Sequence, residues 1–241
     1  MNPLLPFLHP KLKKFFLVDD TRRTTVKKRW FTNGKKLLQV NKVDNHAIGS
    51  DLEKRIIKII ESVIGKIDVV VIMDPQHGLL TEKLIRKVVS LSKEHKKPLY
   101  IDSQISHKKS NHRLYQGADT MFLNQKEAKA VYPNFNLKEP EQALSKIRKK
   151  LKLKNVVVKL GPRGSIALIN DKFIKTPTLK VKTIDVCGAG DAFLAAMSLG
   201  NKNRPEESLK IANIWAALST TIHGTIPPRK KDLIRSLKEF R

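Results

Sequence analysis

Residues 183–200, TIDVCGAGDAFLAAMSLG, set two acids, Asp185 and Asp191, on either side of Gly188, Ala189 and Gly190, and an apolar helix-like run follows at once. A helix start exposes unpaired backbone amides and a partial positive charge. Residues without bulk there let an oxygen-rich ligand approach the backbone, which makes an anion cradle. A carboxylate inside such a cradle would repel a resting phosphate. It makes sense if Asp191 faces an attacking hydroxyl and accepts its proton while the amides stabilise charge on a transferring phosphoryl group. The spacing is also met by an acid that only complements the helix dipole, and at this level both readings stand. Cys187 lies beside the cradle. A thiol at a helix N-terminus can have a lowered pKa, but a small spacer residue is the plainer role.

The elements that must position these residues are legible as patterns. Residues 24–44, TTVKKRWFTNGKKLLQVNKVD, alternate around an Asn33-Gly34 pair and predict a β-hairpin. Helical spacing of Leu and Ile follows over residues 51–64. Then come the strands DVVVIM, PLYI, TMFL and NVVVKL, with helices expected over 81–94 and 139–150. DVVVIM is a continuous apolar run and predicts a strand buried on both faces. GSIALI and FIKTPTLKV suit later antiparallel strands, before two or three C-terminal helices. The expected class is α/β, a doubly wound and mostly parallel sheet flanked by helices. Asp74, Asp102, Asn124 and Gly161 each follow one of the four strands. Ligands of open α/β sheets sit beyond the carboxyl ends of the strands, so the four together point at one crevice. Any one of them alone is an ordinary loop or cap residue.

Composition narrows the function classes. The chain has 241 residues, 48 Lys+Arg against 22 Asp+Glu, and a net charge of +26. The lysines are scattered along the chain and aromatics are only 6%, so stacking platforms for single strands are poorly supplied. The expectation is solvated basic faces with weak attraction to polyanions and no specific nucleic-acid partner. A single cysteine excludes an internal disulfide framework and a multi-cysteine zinc site, and suits a reducing, cytoplasmic setting. The seven histidines have no metal-ligand spacing, no apolar run is long enough to span a membrane, and MNPLLPFLHPKLKKFF lacks the basic-then-apolar order of a signal peptide.

DVCGAGDAF resembles the Asp-Thr-x-Gly-Ala-Gly-Asp signature of the ribokinase-like carbohydrate kinases, the PfkB family. NQKE, from Asn124 to Glu127, resembles that family's Asn-x-x-Glu motif. VVVKLGPRG is similar to its nucleotide-side strand and turn, and ANIWAALSTTIHGT to its late helix and Gly-Thr turn. The resemblance implies ATP and Mg²⁺ as cofactors and a sugar or sugar phosphate as substrate. It implies Asp191 as base with Gly188, Ala189 and Gly190 as anion hole, and Asn124, Glu127, Lys159, Gly161, Gly164, Asn213, Gly224 and Thr225 on the cofactor. Asp74 and Asp102 are expected on the substrate side, Glu127 near magnesium, and a monovalent cation near Asp185. Val186 and the stretch RTTVKKRW lean towards the members acting on D-glycero-D-manno-heptose 7-phosphate. On that reading Lys27 and Arg29 hold the sugar's own phosphate; otherwise they are solvated hairpin residues.

Family members usually begin with a further segment bearing a Gly-Asp strand and a Gly-Gly turn, and MNPLLPFLHPKLKKFFLVDD resembles neither. The expectation is an N-terminally truncated ribokinase-like fold. Residues 1–48 would form a hairpin segment on the lid or substrate side, and 49–241 the nucleotide-binding and catalytic core. A homodimer or a complementing N-terminal chain would be the partner. An inactive or split-kinase subunit that binds nucleotide or polyanions is the alternative.

Overall fold

The computed structural model describes residues 15–32, 35–105 and 110–239. The Asn33-Gly34 turn and the first fourteen residues lie outside them. The strands beside that turn are present: β1, Val26–Thr32, pairs antiparallel with β2, Lys35–Lys42. Successive strand residues face opposite sides. Lys27 and Arg29, opposite Asn41 and Gln39, form one side, where the two basic side chains are half-buried. Val26, Trp30, Leu38 and Val40 stand exposed on the other. The usual polarity is therefore partly inverted: Lys27 and Arg29 are the half-buried pair, while Val26, Trp30, Leu38 and Val40 face solvent beside Lys28 and Lys42.

The main sheet has six strands in sequential order. β3 (Val70–Asp74), β4 (Leu99–Ser103), β5 (Thr120–Asn124) and β6 (Asn155–Lys159) are parallel, and β7 (Ser165–Ile169) and β8 (Lys172–Thr176) extend the sheet antiparallel. Alternation divides the core in two. Ile101, Met121, Leu123, Val156 and Val158 pack on one face with α2 (Glu82–Glu94), α3 (Gln125–Val131) and α4 (Pro140–Leu151). Tyr100, Phe122 and Val157 pack on the other with α5 (Ala189–Ser198) and α6 (Pro205–Ser219). Because the order is sequential, the helices between parallel strands share one face. The second face is covered by the helices that follow β8. α1 (Ser50–Val63) lies along the first face, and α7 (Lys230–Glu239) packs on α6.

One expectation is corrected. β3 is not buried on both faces: Val71 is 42% and Met73 39% exposed, whereas Ile72 and Asp74 are buried. β3 is the end strand, and among the described residues no helix covers it on the face of α5 and α6. A run of apolar residues does not by itself distinguish a central strand from an edge strand with one open face.

Local contacts place the loops at the strand ends. The Arg22 guanidinium donates to the carbonyls of His77, at 3.0 Å, and of His46, which pins the root of the hairpin to the loop after β3. Gly78, at φ +82°, closes that junction, where a Cβ would come within 2.1 Å of the His46 carbonyl. Among the described residues no helix is long and apolar enough to cross a membrane.

Candidate active site

The cradle is built by the entry into α5. Gly188 is its N-cap at φ +82°, a left-handed conformation that favours glycine, and Ala189 starts the helix. Ala192 N–H returns to the Gly188 carbonyl at 2.8 Å, while the amides of Gly190 and Asp191 have no hydrogen-bond partner among the described residues. These are the free first-turn donors of the helix. The entry loop is held from behind. The amides of Ile184 and Asp185 donate to the Thr220 carbonyl at 2.7 and 3.0 Å, and the Asp185 carboxylate accepts the amides of Cys187 and Gly224.

Two hollows flank this helix start. A cleft of about 640 Å³ is lined by Asn124, Lys159, Gly161, Gly164, Ala189, Gly190 and Asn213, with Leu179, Val181, Val186 and Phe193 as apolar wall. That volume and lining suit a small organic ligand or cofactor. A smaller hollow of about 240 Å³ holds Gly188, Asp191, Gly224 and Thr225 beside Cys187 and Trp215. The late Gly-Thr turn thus sits behind the cradle, apart from the cleft wall that carries Asn213. Asn213 itself is buried and ties Ser165 Oγ, at 2.8 Å, to the Leu209 carbonyl, at 2.9 Å. The two nucleotide-side glycines differ. A Cβ at Gly164 would meet the Thr176 carbonyl at 2.0 Å, so the fold requires that glycine, whereas Gly161, at φ +62°, faces open space.

Four ionisable groups converge at the cradle. Asp102 of β4 and Lys159 of β6 form an ion pair across the strand between them. Glu127 is buried in a capping box: its Oε2 accepts the Asn124 amide at 2.6 Å, and Asn124 Oδ1 accepts the amides of Lys126 and Glu127. Burial, with a smaller push from Asp102, takes the Glu127 carboxyl up to about 7. The Asp191 side chain reaches solvent, yet enough protein surrounds its carboxyl for desolvation to raise its pKa. Asp102 raises it further, while Lys159 and Lys27 draw it down. A carboxylate so placed is a better proton acceptor than a free one.

The charge of Lys27 therefore acts on the site from the hairpin. Arg29 donates to Gln39 Oε1 at 3.1 Å inside the hairpin, and among the described residues no hydrogen bond or ion pair joins it to the other candidates. Asp74 is also held apart. It is buried, with Oδ2 accepting Tyr115 OH, Asn111 Nδ2 and Ser103 Oγ at 2.8, 2.8 and 3.1 Å, and Oδ1 accepting the Gln76 amide. In this arrangement it organises the loop after β3. His77 was not singled out from the sequence. Burial and then Lys27 lower its pKa, so it stands on the same side as the hairpin cation. Its only sequence signal is its place before the tight turn at Gly78.

The residues present fit a nucleoside triphosphate: open glycines, the free Gly190 amide and the ammonium groups of Lys159 and Lys180 line a cleft of the right size. Among the described residues no cluster of three His, Cys, Asp or Glu forms a ready metal cage. Magnesium binds through one or two carboxylates plus phosphates and water, so no such cage is needed. The desolvated Glu127 carboxyl is a donor that a cation would stabilise in its charged form.

Comparison with known proteins accords with this geometry. The model of the pfkB family carbohydrate kinases matches residues 14–232. The bifunctional protein HldE of Nitratiruptor sp. is 30% identical over 211 residues, which are 86% of this chain and 43% of that protein. HldE of Campylobacter jejuni strain RM1221 is 28% identical over 238 residues, 97% of this chain and 50% of that protein. The chain spans about half the length of the curated relatives it matches. Among solved structures, ribokinase from Giardia lamblia superposes with a TM-score of 0.73 at 17% identity, over 91% of this chain and 73% of that one. Phosphofructokinase-2 from Escherichia coli, in complex with potassium, gives 0.70 at 20% identity, over 82% and 65%. These two likenesses establish a shared ribokinase-like fold.

Proposed function

The chain belongs to the pfkB family of carbohydrate kinases, and from that membership we propose that it transfers a phosphoryl group from ATP to a hydroxyl of a sugar phosphate resembling a heptose 7-phosphate. The observation that carries the reading is the convergence of the free Gly190 and Asp191 amides, the Lys159 ammonium and the Asp191 carboxylate at the start of one helix. When bound, ATP with Mg²⁺ supplies the activated phosphoryl group. Asp191 takes the proton from the sugar hydroxyl as its oxygen bonds to phosphorus and the bond to the departing ADP oxygen breaks. The first-turn amides hold the negative charge that spreads over the transferring oxygens. Asn124 and Glu127 would hold and orient metal and phosphate, and Asp185 is the residue that would lie near a monovalent cation. Residues 1–48 act as the substrate-side lid on the core formed by 49–241, with Lys27 and His77 towards the sugar. The 30% and 28% likeness to HldE proteins supports the heptose assignment, as do Val186 and the hairpin sequence.

The hairpin's exposed apolar side supports a homodimer as the working form. A second reading is favoured by the open face and edge of β3, with Val71 and Met73 exposed. There the chain is the nucleotide-binding part of a kinase whose sheet is continued by another segment, which brings the sugar site. Coupled assay of ATP-dependent phosphorylation over a panel of sugars and sugar phosphates tests the first reading. Asp191→Asn is expected to cut the rate by about 10²-fold or more with ATP affinity kept. Unchanged turnover in that variant would sink the assignment. Thermal stabilisation by ATP–Mg²⁺ but by no sugar phosphate would select the second reading.

A further inference from the structure

The Asp102–Lys159 pair lies directly under the cradle. Asp102 faces the side of the sheet that packs against α5, in register with Phe122, and Lys159 stands at the end of β6 with β5 between them. The pair is largely shielded, with side chains 9% and 17% exposed. A Cβ built on Gly190 would lie 3.4 Å from Lys159 Nζ and 3.9 Å from Asp102 Oδ2, which is ordinary contact. Gly190 also sits inside α5 with no positive φ. Neither packing nor backbone strain demands a glycine there. The space it leaves opens onto the ammonium, in the same cleft as Gly161, beside which a Cβ would meet nothing within 4 Å.

We propose that Asp102 is an exchangeable counter-ion: it neutralises Lys159 while the cleft is unliganded and surrenders it to the polyphosphate that enters over Gly190. Asp102 is then a positioning residue that acts through Lys159, not a ligand of the sugar. The inference rests on the kinase reading, which brings a nucleoside triphosphate to this cleft. The charge balance supports it. Asp102, Glu127 and Asp191 crowd around Lys159, whose charge bears on both other carboxyls, while Lys27 adds a smaller pull on Asp191 alone. Turning Lys159 towards a phosphate leaves Asp102 uncompensated, so the pair sets a threshold that an anion must exceed to bind. A ligand without phosphates has nothing to offer the ammonium and does not disturb the pair.

The test is a double-mutant cycle read by titration calorimetry with metal-free ATP, and with adenosine as control. Asp102→Asn is expected to tighten ATP about tenfold, and Lys159→Met to weaken it by at least as much. In the Lys159→Met background the Asp102→Asn effect is expected to fall to less than about twofold, with adenosine affinity unmoved throughout. Asp102→Ser, which also removes the charge, must change ATP affinity in the same direction, and melting curves of each variant check that it is folded. Tightening that persists undiminished in Lys159→Met would mean simple repulsion from Asp102 and overturns the exchange. ATP affinity unchanged or weakened in both Asp102 variants overturns it as well. A wild-type chain that binds no ATP overturns the kinase reading and this inference together.

Discussion

The carboxylate of Asp185 accepts the backbone amide of Gly224 at 3.1 Å from 39 positions away in the chain, and with its other oxygen accepts the amide of Cys187 at 3.0 Å. One side chain thus fastens the loop entering α5 to the turn after α6. The orientation of the cradle amides depends on that tie, because Gly188 is in the left-handed region and lies close to Thr225, where an added Cβ would come within 3.2 Å of Cγ2. Asp185→Ala leaves both amides without their acceptor. The expected cost is about 1 to 2 kcal/mol in urea unfolding, together with a fall in kcat larger than the change in ATP affinity. Asp185→Asn keeps one acceptor oxygen and should fall between. Wild-type kcat in Asp185→Ala would remove this tie from the account of the cradle.

The hairpin makes a separate claim. A lone two-stranded ribbon is marginal in water, and this one exposes Trp30 at 45% and Leu38 at 54% as a directly paired couple. If a second copy covers that side, replacing Trp30 by Glu should convert a dimer to a monomer in sedimentation velocity. The melting temperature measured at high dilution should barely move, because the indole is already exposed in the single chain. A wild-type chain that sediments as a monomer at tens of micromolar would refute the dimer.

Much of this was legible in the sequence because it is local. The alternation of the hairpin, the apolar strands and the acid one residue past Gly190 each depend on neighbours within a few positions. What was hidden depends on how distant strands are ordered. Asp102 and Lys159 meet only because β4 and β6 are second neighbours in the sheet, which no spacing along the chain announces. Asp74 has the same sequence signature as Asp102, an acid at a strand end, yet Tyr115, Asn111 and Ser103 close over it. DVVVIM could not reveal which side of β3 would lie open. His77 escaped notice because its environment is made by burial and then by Lys27, far away in the chain.

Lys27 offers the sharpest test of how the hairpin and the base cooperate. Asp191 is raised by desolvation first and by Asp102 second, and Lys27 is one of two cations that hold it down. A base works only when ionised, so the acid limb of the pH profile of kcat/KM follows the Asp191 pKa. Removing the positive charge in Lys27→Met raises that pKa further, which moves the acid limb to higher pH. The rate deficit should therefore widen as pH falls through the acid limb and narrow on its alkaline side, where Asp191 is ionised in both proteins. ATP affinity should be unchanged, since Lys159 serves that side of the cleft. If Lys27 also holds the phosphate of the acceptor, KM for a sugar phosphate should rise while KM for the unphosphorylated sugar stays level. Superimposable acid limbs in wild type and Lys27→Met would show that the hairpin cation does not act on the base.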